Sequence, residues 1–238
     1  MFSQPMASSP LVSVVVPFFN EEDNIVELQK QIAEALKDVD YELVIVDDGS
    51  TDATVSRVVK SERVRLLEFA KNAGQSAAMH AGIHQAKGEI LVLLDGDLQN
   101  DPADIPAMIE RLNAGFDLVC GYRAKRKDTP FKRLQSRIAN NVRSRFIGDN
   151  VRDTGCTLKV MRRDCREALL LFNGMHRFIP ALIGAMGWRV TEMPVNHRAR
   201  IHGISKYGFG NRALRATMDM FGVRWLNSRR KTYQIKET

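Results

Sequence analysis

Four apolar runs within the first 123 residues each stop on a residue that carries chemistry, and this repetition restricts the fold more than any other feature. Val12 to Val16 stops at Pro17, ahead of Phe18-Phe19-Asn20-Glu21. Glu42 to Val46 stops at Asp47-Asp48, Glu89 to Leu94 at Asp95-Gly96-Asp97, and Asp117 to Tyr122 at Arg123. Runs of this length, apolar on both faces, read as strands buried in a sheet. Val64 to Phe69 is a further strand of this kind. Between them lie helical patterns: Ile25, Leu28, Ile32 and Leu36 at helical spacing, a start near Asp52, a small-residue segment from Gln75 to Ala86, and Ile105 to Leu112. Strands alternating with helices predict an α/β domain on a mainly parallel sheet, with its site at the carboxyl edge. The alanines of Gln75 to Ala86 predict close packing of that helix on the sheet.

The third run carries the sharpest signal. Asp95 and Asp97 are two apart, so both point the same way if strand geometry persists, and Gln99 adds a carbonyl oxygen two residues on. Three oxygen donors without His or Cys favour Mg2+ or Mn2+ over zinc. A calcium loop is excluded by Asn100 and Pro106, which stand where that loop needs Gly and Glu. Asp101 before Pro102 reads as a helix cap. His80 and His84 lack the Glu of an H-E-x-x-H pattern and read as packing or surface residues. Neither G-x-G-x-x-G after the first strand nor a P-loop occurs, which argues against dinucleotide oxidoreductases and P-loop NTPases.

The remainder is less regular. A basic helix from about Phe131 to Phe146 leads to a loop, Gly148 to Thr154. A short strand, Thr157 to Met161, precedes helices over Asp164 to Leu171 and His176 to Met186 and a strand from Trp188 to Val195. The division expected is a flexible start over 1–10, one domain over 11–210, and a basic amphipathic segment over 211–238. In that segment Leu214, Met218, Phe221 and Trp225 form a narrow apolar stripe, open to two readings: core packing or a helix lying on a membrane. The net charge of +7 is concentrated around Arg123 to Arg145 and Arg198 to Lys231, which points to a polyanionic partner. The basic runs lack interleaved aromatics and any nucleic-acid-binding signature, so no nucleic acid is expected. Cys120, Cys156 and Cys165 are scattered and odd in number, as in a reduced cytoplasmic chain without structural zinc. No signal peptide or transmembrane span is apparent.

Taken in order, Pro17-x-Phe19-Asn20-Glu21, Val46-Asp47-Asp48-Gly49-Ser50-Thr51-Asp52, Lys71-Asn72-x-Gly74, Asp95-Gly96-Asp97-Leu98-Gln99 and Arg200-x-His202-Gly203-x-Ser205-Lys206-Tyr207-Gly208 resemble family 2 glycosyltransferases. The branch most similar is that of polyprenyl-phosphate sugar transferases, which includes dolichyl-phosphate mannose synthase. The resemblance implies a GT-A type α/β fold and inverting transfer from a nucleotide-sugar donor, UDP favoured over GDP, to a polyprenyl-phosphate acceptor. It implies that Pro17, Phe19, Glu21, Val46 and Asp48 line the nucleoside pocket together with Gly96; for Pro17 and Phe19, strand termination and core filling stand beside that role. Asp97 and Gln99, with Asp95 close by, would hold Mg2+ or Mn2+. Arg123, Arg200 and Lys206 suit the two phosphate-bearing substrates, Arg133 and Arg137 less so. Asp153 either orients the acceptor or shapes a turn. A polysaccharide acceptor is the rival within the fold. Many bacterial relatives continue into two transmembrane helices after the Ser-Lys-Tyr-Gly motif, whereas this chain stops at Thr238. The expectation is therefore a peripheral protein on the cytoplasmic face, meeting the membrane surface or a membrane partner protein, with oligomeric state open.

Overall fold

The computed structural model describes residues 11–124, 143–149, 151–199 and 210–231, with the backbone alone over 210–216. Seven strands form one sheet: β1 (Val12–Phe18), β2 (Tyr41–Asp47), β3 (Val64–Glu68), β4 (Ile90–Leu93), β5 (Leu118–Arg123), β6 (Lys159–Arg162) and β7 (Val190–Val195), in spatial order β3-β2-β1-β4-β6-β5-β7. The central strands are apolar because both faces of the sheet are covered, and every residue of β1 and β2 is buried. The α/β class and mainly parallel sheet expected from the sequence are present.

One strand runs the other way. β6 is antiparallel to both β4 and β5, pairing Lys159 with Leu93 and with Cys120. Its amino end therefore lies at the same edge as the carboxyl ends of its neighbours. All the chemistry-bearing strand ends, and the loop entering β6, thus share one edge.

Helices α1 (Ile25–Ala35) and α3 (Ile105–Asn113) cover one face, packing Ile25, Leu28, Ile32, Ile105, Met108 and Leu112 on Val14, Val16, Val92 and Val119. Each such side chain contributes roughly 1.5–3 kcal/mol by leaving water. Helices α2 (Gln75–Gln85), α4 (Ile179–Gly184) and α5 (Gly210–Arg229) cover the other. The small residues of α2 serve the close approach expected of them: a Cβ on Gly82 would stand 2.4 Å from Val15 Cγ1.

Several helix expectations give way to tighter turns. The helix expected near Asp52 is a single 3-10 turn, Val55–Arg57, because Asp47, Asp52, Ser50 and Thr54 spend their side chains on loop backbone rather than on a helix start. Asp164 to Leu171 is a 3-10 segment, Arg163–Ala168. The helix expected over His176 to Met186 divides into a 3-10 turn, Met175–Arg177, and α4, with Pro180 in the first turn of α4. The expected Phe131 to Phe146 helix lies mostly outside the described residues, of which 143–147 are helical. No helix of the described residues is long and apolar enough to cross a membrane.

Candidate active site at the carboxyl edge of the sheet

The acids follow β4. Asp95 is partly buried, its Oδ1 accepting from Gln75 Nε2 of α2 at 2.7 Å and its Oδ2 from Thr157 Oγ1 at 2.5 Å. Asp97 is 9% exposed, and its Oδ1 accepts from the Gln99 N–H at 3.1 Å across a turn in which Leu98 has φ +59°. Burial, reinforced by the nearby Asp97 charge, pushes the Asp95 carboxyl up to about 6, against the opposing pull of Thr157, Lys159 and Gln75. A carboxyl whose ionisation is opposed by burial and by a neighbouring carboxylate belongs to a donor set that a divalent cation relieves, and all the donors are oxygens. Asp95, Asp97 and Gln99 thus fit Mg2+ or Mn2+ in chemistry. Among the described residues no group of three His, Cys, Asp or Glu side chains gathers, so the amide of Gln99 and substrate oxygens would complete the ligands.

Gly96, between the acids, is small for a reason the motif does not reveal: a Cβ there would lie 2.7 Å from the ring of Phe18. Phe18 is itself buried, so the turn that presents Asp95 and Asp97 rests directly on the end of β1.

Most residues expected to line the nucleoside pocket lie at or just after the ends of β1 and β2. Val46 is buried in the core, and Pro17 is paired across the sheet to it. Asn20, with φ +51°, accepts from the Thr51 N–H at 2.8 Å and donates its own N–H to Ser50. The Glu21 N–H donates to Thr54 Oγ1, and Glu21 Oε2 accepts from Asn24. Phe19 is half-buried beside them. Asp48 is buried, and its oxygens accept from the Ala73 and Gly74 N–H groups and from Asn72 Nδ2. It anchors the Lys71–Gly74 loop, joining two of the motifs read separately in the sequence.

Arg123, at the end of β5, meets Asp153 in a two-pronged pair, Nε to Oδ2 at 2.7 Å and Nη2 to Oδ1 at 2.8 Å. Both side chains are largely buried. Asp153 also takes the Gly155 N–H, so it does shape a turn, and a Cβ on Gly155 would crowd Arg123 Nη2 at 2.8 Å. Arg200 and Lys206 lie outside the described residues, as do Arg133 and Arg137. The chain ahead of Arg200 is fastened to the acidic loop: Arg198 N donates to the Gln99 carbonyl at 2.8 Å, Arg198 Nη2 to Asp101 at 2.5 Å, and Asn196 bonds Asp104 twice. An isolated bridge pairs Asn100 with His197. His80 and His84 pack against each other, ring centroids 4.2 Å apart and ring planes tilted by 40°.

Three residues at the acids were missed by sequence reasoning: Gln75, Thr157 and Lys159. Gln75 and Thr157 are ordinary polar residues at element ends and gave no signal. Lys159 did give one, a single charge in the apolar strand Leu158-Lys159-Val160-Met161.

A family model described as Glycosyl transferase family 2 matches residues 13–170, spanning β1 to β6 and every described acid above. The chain belongs to this family. It is 41% identical over 232 residues to the dodecaprenyl-phosphate galacturonate synthase of Rhizobium johnstonii, covering 93% of this chain and 68% of that one. It is 40% identical over 204 residues to an undecaprenyl-phosphate 4-deoxy-4-formamido-L-arabinose transferase of Pseudomonas fluorescens, covering 82% of this chain and 60% of the relative. The solved structure of glucosyl-3-phosphoglycerate synthase from Mycobacterium tuberculosis, in complex with Mn2+, UDP and phosphoglyceric acid, shares the fold. That match has TM-score 0.68 and 18% identity, covering 94% of this chain and 80% of that one.

Proposed function

We propose that this chain transfers a sugar, with inversion, from a nucleotide-sugar, UDP-linked in preference to GDP-linked, to a polyprenyl phosphate. The observation that carries the proposal is the convergence, at one sheet edge, of the Asp95/Asp97 pair with the Arg123–Asp153 pair and the segment leading to Arg200. Breaking a sugar–diphosphate bond builds negative charge on the leaving group, and that charge must be met by positive charge. Bound to Asp95, Asp97 and Gln99, Mg2+ or Mn2+ would supply a Lewis acid and a clamp for the diphosphate.

The acceptor needs little activation. A phosphate monoester with a second pKa of about 6 is mostly a dianion near neutral pH, so no strong general base is required. Cationic side chains must bring two anionic substrates together, and Arg123, Arg200 and Lys206 are the residues proposed for this. Pro17, Phe19, Glu21, Val46, Gly96 and Asp48 are proposed for the nucleoside side, Asp48 acting by holding the Lys71–Gly74 loop. The relatives favour a polyprenyl-phosphate acceptor and make galacturonate or a 4-formamido-pentose the first choice of sugar for assay. The chain would work peripherally at the cytoplasmic membrane face, since its acceptor is a lipid.

A thermal-shift panel of UDP- and GDP-sugars with and without Mn2+ tests the donor, because a bound ligand raises the unfolding temperature by mass action. Radiolabelled sugar passing into an organic-extractable, mild-acid-labile product tests the acceptor. Transfer only to water-soluble acceptors, or an Asp97→Ala variant with undiminished glycolipid synthesis in chelator, would overturn the proposal.

A further inference from the structure

Lys159 is 2% exposed and ranks among the largest fully buried side chains of the molecule. Lysine is almost never buried to this extent unless paired, because removing an ammonium from water costs several kcal/mol, by order of magnitude. Strand register places Leu93 on one side of it and Cys120 on the other, at the site edge of the sheet. Its Nζ donates to the Cys156 carbonyl at 2.5 Å. The next residue, Thr157, places its hydroxyl 2.5 Å from Asp95 Oδ2. Of the groups its charge reaches, Cys120 and Cys156 are thiols that burial pushes up, Cys120 to about 12, so both stay neutral.

We propose that Lys159 is a positioning residue of the transfer reaction, holding the Cys156–Thr157 turn so that the Thr157 hydroxyl fixes the Asp95 carboxylate at the sheet edge. The ammonium acts on Asp95 through this segment, by way of the Thr157 hydroxyl. A lysine that only filled space could be exchanged for methionine, which has similar length and no desolvation cost; such exchanges of buried charge for apolar volume are often neutral or stabilising. A lysine that sets Asp95 cannot be so exchanged. The inference rests on the reading of Asp95 and Asp97 as the acids that hold a divalent cation against a nucleotide diphosphate.

The test is calorimetric titration of the full chain with UDP, with and without Mn2+, beside urea unfolding, for Lys159→Met, Thr157→Val, their combination and Asp97→Ala. In Lys159→Met the Mn2+-dependent gain in UDP affinity is expected to shrink about 10- to 100-fold, as for partners that orient a metal ligand, while stability is held or raised. Thr157→Val is expected to lose a similar factor. The double variant should lose no more than the larger single, because both act through one contact. A full Mn2+-dependent gain in Lys159→Met, or losses that multiply in the double variant, would overturn the inference. If Lys159→Met does not fold, Thr157→Val decides alone, and an undiminished gain there overturns it. Asp97→Ala separates the two levels: if it keeps the gain, the reading of the acids fails, whereas if it loses the gain while Lys159→Met keeps it, only the role of Lys159 fails.

Discussion

At Asp95 the side-chain environment makes function and stability oppose each other. Burial and Asp97 lift its carboxyl from 3.8 to about 6. A folded-state value above the unfolded one means that the folded chain holds the proton more tightly. Stability contributed by the protonated form is therefore present below about pH 4 and lost as pH rises through about 6. A rise of this size corresponds to about 3 kcal/mol, by order of magnitude. Asp95→Asn should flatten the decline of urea-unfolding stability between pH 4 and 6 and abolish the Mn2+-dependent gain in UDP affinity. Gly96→Ala forces a methyl group against the Phe18 ring and should destabilise the chain by about 1–3 kcal/mol in the same assay. The acids were legible because two carboxylates at the end of an apolar run are unusual. The reason for Gly96 was not, since Phe18 is 78 residues away in the chain and becomes its neighbour only through the pairing of β1 with β4.

At the scale of elements, α5 illustrates how little a stripe says about which side is buried. The residues picked out by spacing, Met218, Phe221 and Trp225, are 66%, 59% and 62% exposed. Val223 is buried instead, with Met220 and Leu226 packed on the same cluster, Asp219 paired with Arg177, and Asn227 bonded to the Ala181 carbonyl. Of the two readings left open, core packing therefore belongs to the neighbouring face, while the side chain of Leu214 lies outside the described residues. Val223→Ala should cost on the order of 2 kcal/mol in urea unfolding. Met218→Ser with Trp225→Ser should change stability by no more than about 0.5 kcal/mol. The same pair should weaken sedimentation with anionic vesicles, and salt should weaken the parent's binding, as expected of an apolar face flanked by Arg224 and Arg229. Equal sedimentation of parent and variant would remove α5 from membrane contact.

Across the whole molecule, long-range ties assemble the edge. Asp48 joins the end of β2 to the loop after β3, Arg123 joins the end of β5 to the loop before β6, and residues 196–198 join the end of β7 to the loop after β4. Removing one partner of the largely buried Arg123–Asp153 pair leaves a charge uncompensated, so Arg123→Ala should destabilise by about 3–5 kcal/mol. Adding Asp153→Ala to that variant should cost much less than Asp153→Ala alone, which a double-mutant cycle by urea unfolding would measure.

The sequence by itself determined the class of sheet, the order of its first five strands along the chain, and the acids that end β4. These follow from local facts: apolar runs of strand length, helical spacing between them, and polar residues where a buried strand must stop. Tertiary structure alone decided that β6 inserts antiparallel between β4 and β5, and so that a threonine hydroxyl reaches Asp95 while a buried lysine bonds the carbonyl just before that threonine. Strand direction and neighbour choice depend on contacts between segments 39 to 72 residues apart, and no periodicity within a segment encodes them.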